Sequence, residues 1–158
     1  MKTASITDIK REIQIKNSNE LKDIILRLAR FKKENKELLT YLLFESADEN
    51  AYIESVKQEI ESMFSAINTD SYYYMKKSVR KILKHIKTRI RYSLKKETEV
   101  ELMIWFCRKL AIMEPPIHHS IALENILIRQ LDSIRKTLPK LHEDLRYDYE
   151  QELKDIKY

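Results

Sequence analysis

Ser46–Ile67 reads SADENAYIESVKQEIESMFSAI. Tyr52, Ile53, Val56, Ile60, Met63, Phe64 and Ile67 recur at intervals of three and four, one face of a 3.6-residue turn that no alternating strand reproduces. Ser46 followed by Glu49 has the form of a capping box, in which each side chain satisfies a backbone N–H left free in the first helical turn. A helix is therefore expected to open there. Asn68, Thr69 and Asp70 compete for backbone hydrogen bonds and should close it.

The same period continues in both directions. Upstream, a helix from about Lys33 to Glu45 gathers Leu38, Leu39, Leu42 and Leu43. Another, capped by Ser18 or Asn19, carries Leu21, Ile24, Ile25, Leu28 and Phe31 on one face. Ile6, Ile9 and Ile13 mark a narrow stripe within residues 1–17, expected as a frayed or loosely docked helix.

Downstream, a fifth helix should run from about Ser71 to Ser93, and Thr98 with Glu101 forms a second capping box opening a sixth. Val100, Leu102, Met103, Ile104, Trp105, Phe106, Leu110, Ile112 and Met113 cover most of that sixth helix, as in a helix surrounded by neighbours. Pro115 and Pro116 should end it, because proline lacks the N–H and disfavours helical geometry just before itself. Ile121, Leu127, Ile128, Leu131, Ile134 and Leu138 define a seventh, and Pro139 suits the first turn of an eighth. Leu141, Leu145, Tyr149, Leu153 and Ile156 form a thin seam among acidic residues, the pattern of a helix docked on the outside or offered to a partner helix.

A chain of 158 residues suits one compact helical domain over residues 1–158. The fold class expected is all-α, a single-domain bundle of about seven or eight helices. Helices three, five and seven start roughly 40 residues apart, a spacing that an ordinary bundle and the stacked antiparallel hairpins of an α-α superhelix both satisfy. The chain has no glycine, against about eleven expected from average usage of roughly 7%. Phosphate-cradling loops, dinucleotide fingerprints, nucleophile elbows and the usual calcium loops, which need glycine at positive φ or at a close approach, are thereby excluded in their usual form.

The single Cys107 forms no internal disulfide, and Met1–Gln14 holds no apolar signal core, so a cytoplasmic setting is expected. The longest apolar run, Leu102–Cys107, falls far short of the ~20 residues that span a membrane.

Charge is segregated. Residues 71–96 carry ten Lys or Arg and no Asp or Glu, whereas the rest of the chain has twenty basic against twenty-five acidic residues. A local charge of +10 and a remainder of −5 therefore underlie the net +5. At about 100° per residue, Lys76, Lys77, Arg80, Lys84, Lys87, Arg91 and Lys95 fall within one arc of about 100°, flanked by Lys81. Tyr72, Met75, Val79, Ile82, Leu83, Ile86 and Ile90 take a separate arc on the other side. Such a ridge can displace condensed counterions from phosphate backbones, and Tyr73, Tyr74 and Tyr92 lie near enough to stack on bases. Internal neutralisation is the competing outcome. Glu45, Asp48, Glu49, Glu54, Glu59 and Glu61 near the fourth helix, or the acids of the last helix, could cover the ridge.

Elsewhere the titratable residues carry less chemistry. Adjacent His118 and His119 should diverge on a helix, and no His-Glu-x-x-His or Glu-x-x-His pattern completes a site, so neither metal nor cofactor is expected. His85 should be a solvated surface imidazole, and Cys107 a buried and unreactive thiol. The functional expectation is a non-catalytic helical interaction module that presents the basic helix, about residues 71–96, to an acidic partner, either protein or nucleic acid. The alternative is a small helical-bundle enzyme or ligand-binding domain with a buried polar site. A homo-oligomer is compatible with both.

Overall fold

The computed structural model describes residues 1–157. Eight α-helices follow one another: α1 (Ile6–Gln14), α2 (Ser18–Phe31), α3 (Lys33–Thr40), α4 (Glu49–Ser65), α5 (Tyr72–Ser93), α6 (Lys96–Ala111), α7 (Ile121–Thr137) and α8 (Glu143–Lys154). A π-helical turn at Tyr41–Glu45 and 3-10 turns at Ile117–His119 and Leu138–Lys140 complete the regular structure. Among the described residues there is no strand, so the all-α class expected from apolar periodicity is the class observed. No helix is long and apolar enough to cross a membrane among those residues.

Packing divides the chain into two compact units, Met1–Phe44 and Glu45–Tyr158, where the sequence suggests one domain. In the first unit α2 and α3 pack side by side, joined by extended Lys32, and Asn35 Nδ2 donates to the Leu28 carbonyl at 2.9 Å. None of α1, α2 and α3 contains a buried residue, and Tyr41 alone is buried in this unit.

The second unit is built around α6, which packs against α4, α5, α7 and α8. Val100, Leu102, Ile104, Phe106, Cys107 and Leu110 of α6 are almost fully excluded from solvent, as its broad apolar circumference requires. Ile60 of α4, Met75, Val79, Ile82 and Ile86 of α5, and Leu123, Leu127 and Leu131 of α7 close on it. Ile112 departs from the expected pattern: it caps the C-terminus of α6 and is 72% exposed. The outer helix α8 keeps Tyr149 buried and Leu145 exposed.

Several helix starts differ from their expected positions. Asn17, not Ser18 or Asn19, caps α2, forming a capping box with Glu20. Ser46 does not cap α4: Asp48 does, accepting from the Ala51 N–H at 3.0 Å. Thr98 does not cap α6 either, because that helix already begins at Lys96 and places Thr98 inside its first turn. One residue of each misread box, Glu49 and Thr98, meets the other across the helix junction. Thr98 Oγ1 donates to Glu49 Oε1 at 2.6 Å, Ser93 Oγ bonds the same oxygen, and Lys95 Nζ lies 3.0 Å from Oε2. Pro139 lies in the 3-10 turn, and His142 caps α8 in its place.

Truncating the centre of this core should be costly. Leu110→Ala is expected to lower stability by ~2–5 kcal/mol, read as a drop in urea midpoint with unchanged m-value.

Candidate functional site

The basic face is carried by α5, whose 22 residues begin after Ser71, where the side chain accepts from the Tyr74 N–H at 3.4 Å. Met75, Val79, Ile82 and Ile86 turn its apolar arc into the core, which fixes the opposite arc toward solvent. Helix α5 ends at Leu94, whose φ of 60° is the only positive φ in the described chain, and the Leu94 N–H bonds the Ile90 carbonyl at 3.0 Å. Glycine usually takes that left-handed position; a leucine there costs about 1–2 kcal/mol of steric strain.

Of the seven expected ridge residues, Lys76, Lys77, Arg80, Lys84, Lys87 and Arg91 share α5, and all but half-buried Lys76 are exposed. None of these six makes an ion pair among the described residues. Lys76 instead sits over the Tyr73 ring, 5.8 Å from its centroid. The seventh, Lys95, departs from the ridge: the turn at Leu94 moves it off α5 to the N-cap of α6, where it pairs with Glu49.

The acids of α4 do reach α5, but on its flank. Glu59 Oε2 lies 2.7 Å from His85 Nε2 and accepts from Arg89 Nε at 3.2 Å, so His85 is hydrogen-bonded to α4 and not the freely solvated imidazole expected. Glu54 goes to Lys57 and Glu61 to Lys109, each away from the ridge. Two acids of α8 meet cations elsewhere, Glu150 pairing with Arg146 of the same helix and Glu152 with Arg108 of α6. Of the expected neutralising acids, Glu49 meets Lys95, and Glu54, Glu59, Glu61, Glu150 and Glu152 meet cations other than the six ridge residues on α5.

Tyrosines divide in the same way. Tyr73 is 63% exposed and Tyr74 is exposed beside it, with ring centroids 5.4 Å apart. Tyr92 is buried with Arg89 over its ring, so it cannot stack on an external base as expected.

Two depressions flank the ridge and share Lys87 and Arg91. The first, about 400 Å³, adds Ile90, Leu94, Lys96, Glu99, Met103, Gln130 and Ser133; the second, about 480 Å³, adds Arg80, Leu83, Lys84 and Thr88. Both have apolar and basic walls, and in the first Glu99 pairs with Lys96. Leu94, Met103 and Gln130 were beyond sequence reasoning here, because they meet at the ridge only through the packing of α5, α6 and α7.

The remaining titratable groups serve structure. Glu101 accepts from Lys57 of α4 at 2.7 Å and from the Tyr149 hydroxyl of α8 at 3.3 Å, tying both helices to α6. Desolvation pulls the Lys57 ammonium down, but hydrogen bonds to Glu101 and Glu54 outweigh it and leave its pKa raised. Burial, then the Glu101 charge, raises the Tyr149 phenol. Burial pushes the Cys107 thiol up to about 12. His118 and His119 stand in a 3-10 turn with ring centroids 4.3 Å apart, edge to face, so they do not diverge as a helix would require. Among the described residues no three His, Cys, Asp or Glu side chains converge on a metal position. No protein-family model matches this chain, and neither a curated protein sequence nor a solved structure is similar to it.

Two outcomes follow from this geometry. Cys107, Tyr149 and Lys57 all hold protons more tightly folded than unfolded, so stability should be full below about pH 9 and fall as pH rises through the alkaline range. Urea midpoints between pH 8 and 11 measure this, and Cys107→Ala should flatten the loss. Leu94→Gly should raise stability by about 0.5–1 kcal/mol, the relieved strain less the entropy that glycine adds to the unfolded chain.

Proposed function

We propose that this chain is a non-catalytic helical interaction module that holds a nucleic-acid backbone along the exposed face of α5. The observation that carries this reading is the set of six ridge cations without a counter-anion, beside acids that pair with other cations instead. From Lys76 to Arg91 the helix rises about 22 Å, a length that faces roughly six phosphates at 3.4 Å per nucleotide of one strand. Exposed Tyr73 on the same arc offers a ring for an unpaired base. No Asn or Gln lies among the ridge residues to read base edges, so recognition is of the backbone and independent of sequence. A reducing, cytoplasmic setting belongs to the same reading, since the lone Cys107 is a buried thiol.

The second reading, an acidic protein segment, is favoured by one specific observation. Strained Leu94 is 79% exposed and joins Ile90 and Met103 in a floor under Lys87, Arg91 and Lys96, which suits an amphipathic acidic helix better than a phosphate strand.

A salt series separates them. With a single-stranded oligonucleotide, log Kobs should fall with log salt at a slope of about −4, from six contacts at roughly −0.7 each. Replacing Arg80, Lys84 and Lys87 with Gln should shallow that slope by about 2 while thermal stability stays within about 0.5 kcal/mol, because the three are exposed and unpaired. Weak binding that is flat with salt would remove the nucleic-acid reading. Leu94→Gln should leave the slope untouched, and should weaken only a partner seated on the apolar floor.

A further inference from the structure

The depression between α5, α6 and α7 holds a buried polar group that the fold leaves half used. Its described lining residues all belong to the second unit, so it is formed without the first. Gln130 of α7 stands in its wall and is 6% exposed. The Gln130 Nε2 donates to the Ile126 carbonyl at 3.3 Å, one turn back on the same helix. Its Oε1 has no hydrogen-bond partner among the described residues, and no side-chain oxygen without a partner is fully buried there, so this acceptor opens into the depression. Gln130 also takes a seam position of α7, three residues after Leu127 and four before Ile134, where an aliphatic side chain would bury at lower cost. Packing alone does not account for an amide there.

The groups around this acceptor select the class of ligand. Lys87 and Arg91 of α5 have no counter-anion among the described residues, and Lys96 is opposed only by Glu99 at 2.7 Å; three cations against one carboxylate leave a net +2. Lys96 is the first residue of α6, whose start has no side-chain cap, so the positive end of that helix adds to the field. A phosphate monoester, at about −1.5 to −2 near pH 7, matches this charge, whereas a carboxylate leaves one cation unopposed. Ile90, Leu94 and Met103 supply apolar wall. The volume of about 400 Å³ lies within the range of roughly 300–1,000 Å³ typical of small-molecule sites. Inorganic phosphate would leave the apolar wall wet. An acyl or aryl anion would cover that wall but strand the Gln130 oxygen away from water without a donor. A sugar phosphate would bring donors and no apolar surface. A nucleoside monophosphate brings all three: a doubly charged phosphate, apolar base faces and N–H donors on the base edge.

We propose that this depression binds one nucleoside monophosphate, with the phosphate on Arg91 and Lys87, the base against Ile90, Leu94 and Met103, and a base N–H donating to Gln130 Oε1. The nucleotide is either free or one unit of a strand, since both present the same groups. The site shares Lys87 and Arg91 with the ridge but does not need the ridge to hold a strand. The ridge meets no base edge; this depression beside it meets one.

Titration calorimetry on the full chain tests it with AMP, adenosine, inorganic phosphate and purine riboside 5′-monophosphate, which lacks the amino donor. AMP should saturate a single site per chain, with adenosine and inorganic phosphate weaker by about tenfold or more. Gln130→Met, close to glutamine in volume, should weaken AMP by about tenfold and leave inorganic phosphate unchanged. If that variant misfolds, purine riboside 5′-monophosphate makes the same comparison on the unaltered protein and should also bind about tenfold more weakly than AMP. Oligoadenylate separates the two sources: Gln130→Met weakens it as well where a strand unit enters the depression, and AMP alone where the ligand is the free nucleotide. AMP affinity indifferent both to Gln130→Met and to loss of the amino group, adenosine or inorganic phosphate bound as tightly as AMP, or no AMP binding at millimolar concentration each overturns the proposal. An oligonucleotide held with the expected salt slope while AMP does not bind removes this site and leaves the reading of α5 standing.

Discussion

Enclosure of α6 on four sides is the constraint from which the rest of the second unit follows. A helix whose apolar residues cover most of its circumference is stable only when surrounded, and α4, α5, α7 and α8 each supply one wall. Each wall helix must turn its own apolar stripe inward. For α5 that stripe is Met75, Val79, Ile82 and Ile86, and the cations on the far arc are held outward as a consequence. The basic ridge is thus positioned by hydrophobic burial, not by its own electrostatics. Its like charges would repel in isolation, and the burial of the inner arc at about 1.5–3 kcal/mol per large side chain is large enough to override that.

Polar clusters then fix how the walls meet. Glu49 gathers Ser93, Lys95 and Thr98, joining the start of α4 to the junction of α5 and α6. Glu101 gathers Lys57 and Tyr149, joining α4 and α8 to α6. These carboxylates are drawn into partly buried bonds that repay their desolvation, so they are unavailable to the exposed ridge. Of the acids on the outside of α4, Glu59 faces the flank of α5, where it meets His85 and Arg89. One side of α5 is neutralised and the other is left bare. Exposed pairs contribute only ~0–1 kcal/mol each, so stability alone exerts little pull to cover the ridge.

What the amino-acid sequence revealed, and what it hid, divides along the same physical line. Properties set by local period were legible: the two arcs of α5, the surrounded character of α6 and the break near Asn68. Properties set by meetings between helices were not. Ser46–Glu49 and Thr98–Glu101 have the spacing of capping boxes, but Glu49, Thr98 and Glu101 found partners on other helices, and spacing cannot register that competition. The same holds for Lys95, which continues the arc on an ideal helix and leaves it once the backbone turns at Leu94. In the first unit, periodicity correctly marked the apolar faces of α1 and α2. It could not reveal that α3, packed beside α2, leaves the α2 face exposed within that unit.

Leu94 concentrates these points in one residue. A chain without glycine must still end α5 and restart at α6 within two residues, and the left-handed turn that does so falls on a side chain that resists it. A more permissive residue would relieve the strain, but it would also remove the exposed apolar rim of the depression under Lys87, Arg91 and Lys96. The same turn carries Lys95 away to Glu49 and leaves Lys96 beside the depression, bonded to Glu99 at 2.7 Å. Leu94 therefore sets where the ridge ends, which cation is withdrawn from it, and what apolar surface is exposed beside Lys96.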